Sequence, residues 1–178
     1  MQKLNKIEQS HQLMWLFFFA FLCYNERMTE AFQKRICRVG DRAAIEKTFT
    51  QEDIDQFVRL TLDDNGMHTD EELARKGLFR RPVVHGVLVG SLISSVMGTK
   101  LPGNGTVLQG QDIKYLAPVY PGETVTAEVV LTEVEEFPHY YIATLEGKCT
   151  NQDGVLVATA VSKELMLKRF FEVEEAEA

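Results

Sequence analysis

Residues 83–97 read VVHGVLVGSLISSVM, the most apolar stretch of the chain after its first 27 residues, and they close on Gly98 with Pro102 beyond. Apolar composition sustained over this length, with Pro82 before it and glycine after it, predicts a buried central helix. Gly86, Gly90 and Ser94 recur every four residues and share one face. That face is nearly smooth and lets a strand, a partner helix or a thin ligand come close. Leu88, Leu92 and Val96 form a second face suited to packing on a sheet. Close packing accounts for small residues at this spacing as readily as a ligand does, and both readings stay open.

Downstream, residues 107–116, 123–136, 140–150 and 154–168 are rich in Val, Thr, Ile and Tyr with partial alternation. Turn signals separate them at Pro118–Gly122, Pro138-His139 and Asp153-Gly154, the last a favoured hairpin turn. Short connections predict an antiparallel meander. Upstream, residues 35–49 suit a strand broken by a turn at Gly40-Asp41. Thr50 and Asp53 then form a capping box ahead of Ile54, Phe57 and Leu60 at helical spacing, in a helix expected to end near Asp63. Thr69 with Glu72 predicts a second capping box and a short helix that Gly77 ends in a left-handed conformation. The order of strand, helices, long buried helix and antiparallel strands implies one α+β domain, residues 28–168, whose antiparallel sheet wraps the helix. Residues 169–178, ending FEVEEAEA, are expected to fray as an acidic tail.

The whole chain has 178 residues, 45% of them apolar and 25% charged, with a net charge of −7. This is the composition of a globular protein, and the acidic balance argues against binding nucleic acid through the overall field. Cys23, Cys37 and Cys149 have neither CxxC nor Cys/His spacing, which excludes a disulfide framework or a zinc motif and makes a reducing, cytoplasmic location the expectation. Residues 13–24 (LMWLFFFAFLCY) are almost wholly apolar yet fall short of the roughly 20 residues that span a bilayer. A secretory signal fits poorly, because Glu8 interrupts the basic flank of Lys3 and Lys6 and no A-x-A site follows. An extension ahead of a start at Met28, or a hydrophobic arm that meets a membrane or partner, remain as readings of residues 1–27. Lys3, Lys6 and Arg27 against Glu8 and Glu26 give this segment +1, so residues 28–178 carry −8.

Chemistry concentrates in three places. Asp63-Asp64-Asn65-Gly66-Met67-His68 sets two carboxylates, an amide and an imidazole in the connection between two capped helices. A carboxylate and a histidine across such a turn can address one water molecule and move its protons. A plain helix stop followed by a turn explains the same residues. His85 and Gly86 open the central helix, where backbone N–H groups lack internal partners and attract a ligand oxygen. Arg75, Lys76, Arg80 and Arg81 form the densest positive cluster, a candidate contact for phosphates or a solvated basic face.

These pieces, Phe49-Thr50-Gln51-Glu52-Asp53-Ile54, Asp63-x-Asn65-x-x-His68, Arg81-Pro82-Val83-Val84-His85-Gly86-Val87-Leu88 and Pro118-Val119-Tyr120-Pro121-Gly122-Glu123, occur in an order and spacing that resemble the MaoC-like (R)-specific enoyl-CoA hydratases and dehydratases. The resemblance spans about Arg38 to Leu167. It implies a hot-dog fold, an antiparallel sheet wrapped around a long central helix, and a homodimer or higher homo-oligomer. It further implies that Asp63 and His68 are the dyad that activates water. Asn65 would shape the loop, the Gly86 N–H would receive the thioester oxygen, and Ser94 would support the dyad. Arg75, Lys76, Arg80, Arg81 and His85 would serve substrate binding. The implied reaction is reversible syn addition of water to a trans-2-enoyl thioester, giving the (R)-3-hydroxyacyl thioester. It needs no metal, and its only coenzyme is the coenzyme A carried by the substrate.

Two positions depart from the family loop, which reads Gly-Asp-x-Asn-Pro-x-His: Leu62 stands for the glycine and Gly66 for the proline. Glycine in place of proline loosens a loop through backbone entropy, and leucine forbids conformations open to glycine. A hot-dog acyl-CoA thioesterase is the nearest alternative, but the central helix carries no Asp or Glu. A non-catalytic acyl-thioester-binding module is the other.

Overall fold

In the computed structural model, which describes residues 34–174, the apolar run becomes a helix and the Val/Thr-rich segments become strands. Both expectations for residues 1–27, and the Met28 boundary, lie outside the described residues. The order is β1 (Arg35–Arg38), β2 (Arg42–Thr48), α1 (Gln51–Thr61), α2 (Gly66–Thr69), α3 (Glu71–Lys76), α4 (Gly86–Thr99), β3 (Thr106–Tyr115), β4 (Thr124–Glu136), β5 (Tyr140–Asn151), β6 (Leu156–Leu167) and β7 (Phe171–Glu174).

Five strands form an antiparallel sheet in the order β2-β4-β5-β6-β3. Period-two alternation sorts its faces: in β4, Val125, Ala127, Val129 and Leu131 are fully buried, while the residues between them face outward. A register shift between Leu131 and Glu133 then flips the pattern and places Val134 on the core side. The expected meander holds for β4, β5 and β6 only. β3 lies beyond β6, because residues 116–123 cross the start of the central helix instead of turning back tightly. The crossing segment is held on the way by Leu116 N–H to the Val157 carbonyl (2.9 Å) and by Val84 N–H to the Val119 carbonyl (2.8 Å).

α4 packs Val89, Leu92, Ile93, Val96 and Met97 into the concave side of this sheet. Each such side chain stabilises the fold by about 1.5–3 kcal/mol on burial. At Gly147 in β5 a Cβ would lie 2.6 Å from Ile93 Cγ2, so there the helix rests directly on strand backbone. The smooth face of α4 is met by a strand: a Cβ on Gly90 would fall 3.0 Å from Ile113 Cδ1 and 3.2 Å from the Tyr115 hydroxyl. Close packing therefore accounts for Gly90. This is the hot-dog fold.

The capping box of α1 forms as expected, with Thr50 Oγ1 accepting from Asp53 N–H and an Asp53 oxygen accepting from Thr50 N–H at 2.8 Å. The second cap is Asp70 and not Thr69: Asp70 Oδ1 accepts from Glu72 N–H (2.8 Å) and Leu73 N–H (3.0 Å). Thr69 instead closes α2, a turn of helix that Asn65 caps through Met67 N–H at 3.1 Å. Gly77 is not left-handed, at φ −81°; Leu62 (φ 62°) and Arg80 (φ 63°) are. Of the expected acidic tail, Phe171–Glu174 is ordered as β7, pairing in parallel with β1. Fully buried Phe171 anchors it, and the Arg38–Glu174 ion pair ties its end.

Candidate active site

α1 ends because Leu62 adopts the left-handed conformation and donates its N–H back to the Val58 carbonyl at 2.8 Å. The chain then presents Asp63, whose side chain is 52% exposed. One turn later α2 carries His68 inward. The His68 Nδ1 lies 2.6 Å from the Val83 carbonyl oxygen. A carbonyl only accepts, so Nδ1 carries a proton, and in the neutral tautomer the lone pair is on Nε2.

His85 completes the group. It is 2% exposed, stacks on the His68 ring with centroids 3.8 Å apart, and sets its Nε2 3.0 Å from the Asp63 carbonyl oxygen and 4.0 Å from the Asp63 carboxylate. The carbonyl again fixes the donor: Nε2 is protonated, and the buried Nδ1 has no partner among the described residues. Burial pushes the His85 pKa down, and neighbouring His68 lowers it further, against a hydrogen bond to Asp63 that raises it. Burial and the neighbouring ring thus both favour the neutral imidazole at His85.

Polar atoms of Asp63, His68 and His85 lie within 4.8 Å of one another, a span that one water molecule bridges. The same trio has metal-ligating residue types, yet its stacked rings direct their in-plane lone pairs along near-parallel planes, a poor fit to one shared ion. Beside His68 opens a cavity of about 290 Å³, lined by His68, Gly86, Val84, Tyr115, Leu116 and Val157 among others; Asp63 does not line it. Its walls are mostly apolar, with the His68 imidazole and the N-terminal turn of α4 at the polar end.

The structure thus brings together Asp63, Asn65, His68, His85 and Gly86. It does not bring Ser94 to them. Ser94 lies two turns further along α4, about 12 Å from Gly86 at helical rise, and shares no hydrogen bond with Asp63 or His68. The residue against the dyad is His85, whose contact to Asp63 runs through a backbone carbonyl and so leaves no side-chain pattern to read. The basic cluster divides. Arg75 and Lys76 face Glu71 and Glu72 one turn back on α3, at 4.0 and 3.1 Å, whereas the Arg81 guanidinium stacks 3.5 Å over the Tyr120 ring, next to Val119 on the cavity wall. Arg80 is exposed. At Gly66 a Cβ would meet Leu73 Cδ2 at 2.6 Å, a contact that the half-exposed leucine relieves by moving its side-chain end.

A family profile described as MaoC like domain matches residues 38–146. The chain belongs to the MaoC-like family. An (R)-specific enoyl-CoA hydratase of Aeromonas caviae is 39% identical over 121 residues, covering 68% of this chain and 89% of that protein. A mitochondrial 3-hydroxyacyl-[acyl-carrier-protein] dehydratase of Solanum lycopersicum is 31% identical over 137 residues, covering 75% of this chain and 82% of that protein. Among solved structures, an R-hydratase from Pseudomonas aeruginosa superposes with a TM-score of 0.65 at 30% identity, covering 79% of this chain and 88% of that one. Seen as a MaoC-like domain, the loop Asp63-x-Asn65-x-x-His68 and the segment His85-Gly86 meet at one end of the central helix. Among the described residues, no helix is long and apolar enough to cross a membrane.

Proposed function

We propose that the protein is an (R)-specific hydro-lyase that interconverts trans-2-enoyl thioesters and (R)-3-hydroxyacyl thioesters. The observation that carries this reading is His68, with Asp63 within 4.8 Å of it, on the wall of an apolar cavity that Gly86, the first residue of α4, also lines. The acyl chain enters the apolar cavity, and its thioester oxygen points at the Gly86 N–H. Negative charge gathers on that oxygen as the enolate-like transition state forms, and the unpaired N–H at a helix start stabilises it there. His68 Nε2 and the Asp63 carboxylate hold one water between them, take a proton from it and return a proton to the α carbon. Both the hydroxyl and the proton come from the side of the double bond that faces the dyad, so addition is syn.

Coenzyme A is the expected carrier of the acyl group, with Arg81, braced on Tyr120, and neighbouring Arg80 as contacts for its phosphates. The reading includes a homodimer or higher homo-oligomer and a cytoplasmic location, which suits the buried free thiols of Cys37 and Cys149. The test is purified protein with crotonyl-CoA: the enoyl absorbance falls without release of thiol. Thiol release would instead mark a thioesterase, and no turnover would leave a binding module. Arg81→Ala raises KM for crotonyl-CoA by about tenfold and leaves crotonyl-pantetheine nearly unchanged, as loss of a charged phosphate contact requires; equal effects on both substrates count against phosphate recognition.

A further inference from the structure

Four residues, Val83 to Gly86, touch every part of the chemistry. The Val83 carbonyl takes the proton of His68 Nδ1, the His85 ring lies flat on the His68 ring, and His85 Nε2–H holds the Asp63 carbonyl. Gly86, next in the chain, is the residue whose N–H faces the thioester oxygen in the hydratase reading. The loop caps its own turns, but its Asp63 carboxylate is held loosely: the side chain is half-exposed, and its contact within the loop is a long one to Asn65 N–H at 3.4 Å. The other nitrogen of His85, Nδ1, is buried against no acceptor among the described residues, so a second proton on this ring would be stranded.

We propose that His85 is a positioning residue that locks Asp63 and His68 in register with the Gly86 N–H, and that its single-proton form confines the proton of the reaction to His68. This rests on the hydratase reading. Two stacked rings at 3.8 Å cannot both carry charge at low cost, and the ring without an acceptor is the one that stays neutral. The ring does not line the cavity: it acts through the peptide of Asp63 and the plane of His68. A displacement of about 1 Å in such groups costs on the order of 100-fold in rate.

The experiment compares wild type, His85→Gln and His85→Phe with crotonyl-CoA. Phenylalanine keeps a ring on His68 but loses the donor to Asp63, while glutamine keeps a donor near the position of Nε2. The expected result is kcat lower by about 100-fold in His85→Phe, KM within about threefold of wild type, and about tenfold recovery of kcat in His85→Gln. A KM effect alone, wild-type kcat in His85→Phe, or no recovery with glutamine overturns the proposal. In parallel, nitrogen shifts of labelled histidine in the unmodified protein should show His85 protonated at Nε2 and bare at Nδ1 from pH 6 to 8. A protonated Nδ1 overturns the proposal even where the variants fail to fold. A wild type that hydrates nothing sinks the hydratase reading instead, and the nitrogen shifts still decide the arrangement of His85.

Discussion

The loop from Leu62 to Thr69 and the segment from Val83 to Gly86 face each other across the candidate site and are built on opposite principles. The loop is exposed: Leu62 stands 83% in solvent with a strained left-handed backbone, and its polar side chains cap its own turns. In the segment, Val83, Val84 and His85 are 5%, 4% and 2% exposed, with backbone bonds reaching Met67 and Val119. The reactive groups sit on the exposed part, whose turns are closed by local hydrogen bonds and carry little burial. The geometry is set by the part that carries no reactive group of its own beyond one N–H.

The sharpest break of this contrast is to remove a reactive group. Asp63→Asn and His68→Ala each should lower kcat for crotonyl-CoA hydration by about 10²–10⁴-fold, the usual share of general acid–base catalysis. Their urea midpoints should stay near wild type, because the loop contributes little burial. Val84→Ala attacks the other side. Losing two buried methyl groups and leaving a cavity should destabilise the fold by about 1.5–3 kcal/mol, read from urea unfolding, and kcat should fall as well because the support shifts. Leu62→Gly should have the opposite sign, a gain of about 0.5–1 kcal/mol, since glycine relieves the left-handed strain and an exposed leucine gives up no packing. Acid separates the two regions more gently. The unfolded chain binds a proton at His85 near pH 6.5, which the folded chain refuses because burial lowers that pKa. Stability from this source is therefore complete above pH 6.5 and is lost as pH falls toward the folded value. Between pH 7 and pH 5 the urea midpoint of wild type should drop further than that of His85→Gln.

Much of the fold was legible because local rules governed it. The starts and ends of β3 to β6 fall within about two residues of the alternating segments, and the Thr50 box capped α1 as read. Where two adjacent residues offered similar chemistry, sequence could not choose: Asp70 outcompeted Thr69 because a carboxylate accepts two N–H groups at once. The place of β3 beyond β6 depended on Pro118–Gly122 crossing over α4, a tertiary event with no local trace. β7 looked like a tail because Glu172 and Glu174 mask one buried aromatic, Phe171. In the site, spacing marked Asp63, His68 and the Gly86 helix start as candidates only, and the resemblance to the MaoC-like family added Asn65; the structure brings the four together. The support from His85 could not, since it is given through a carbonyl that every residue possesses. Ser94 shared the Gly86 face but not its end of the helix, and helical periodicity records only the first of these.

The parallel pairing of β1 with β7, in the register Arg35 with Phe171 and Arg38 with Glu174, has a mechanical consequence. Chain preceding residue 34 leaves one end of this ribbon, and chain following residue 174 leaves the other. Tension applied between those points runs along both strands in opposite senses. The cross-strand bonds then bear load together, in shear, rather than parting one by one. The ribbon, the Arg38–Glu174 ion pair and the buried Phe171 ring behind it make a clasp that shields the sheet and the dyad from a pull on either flank.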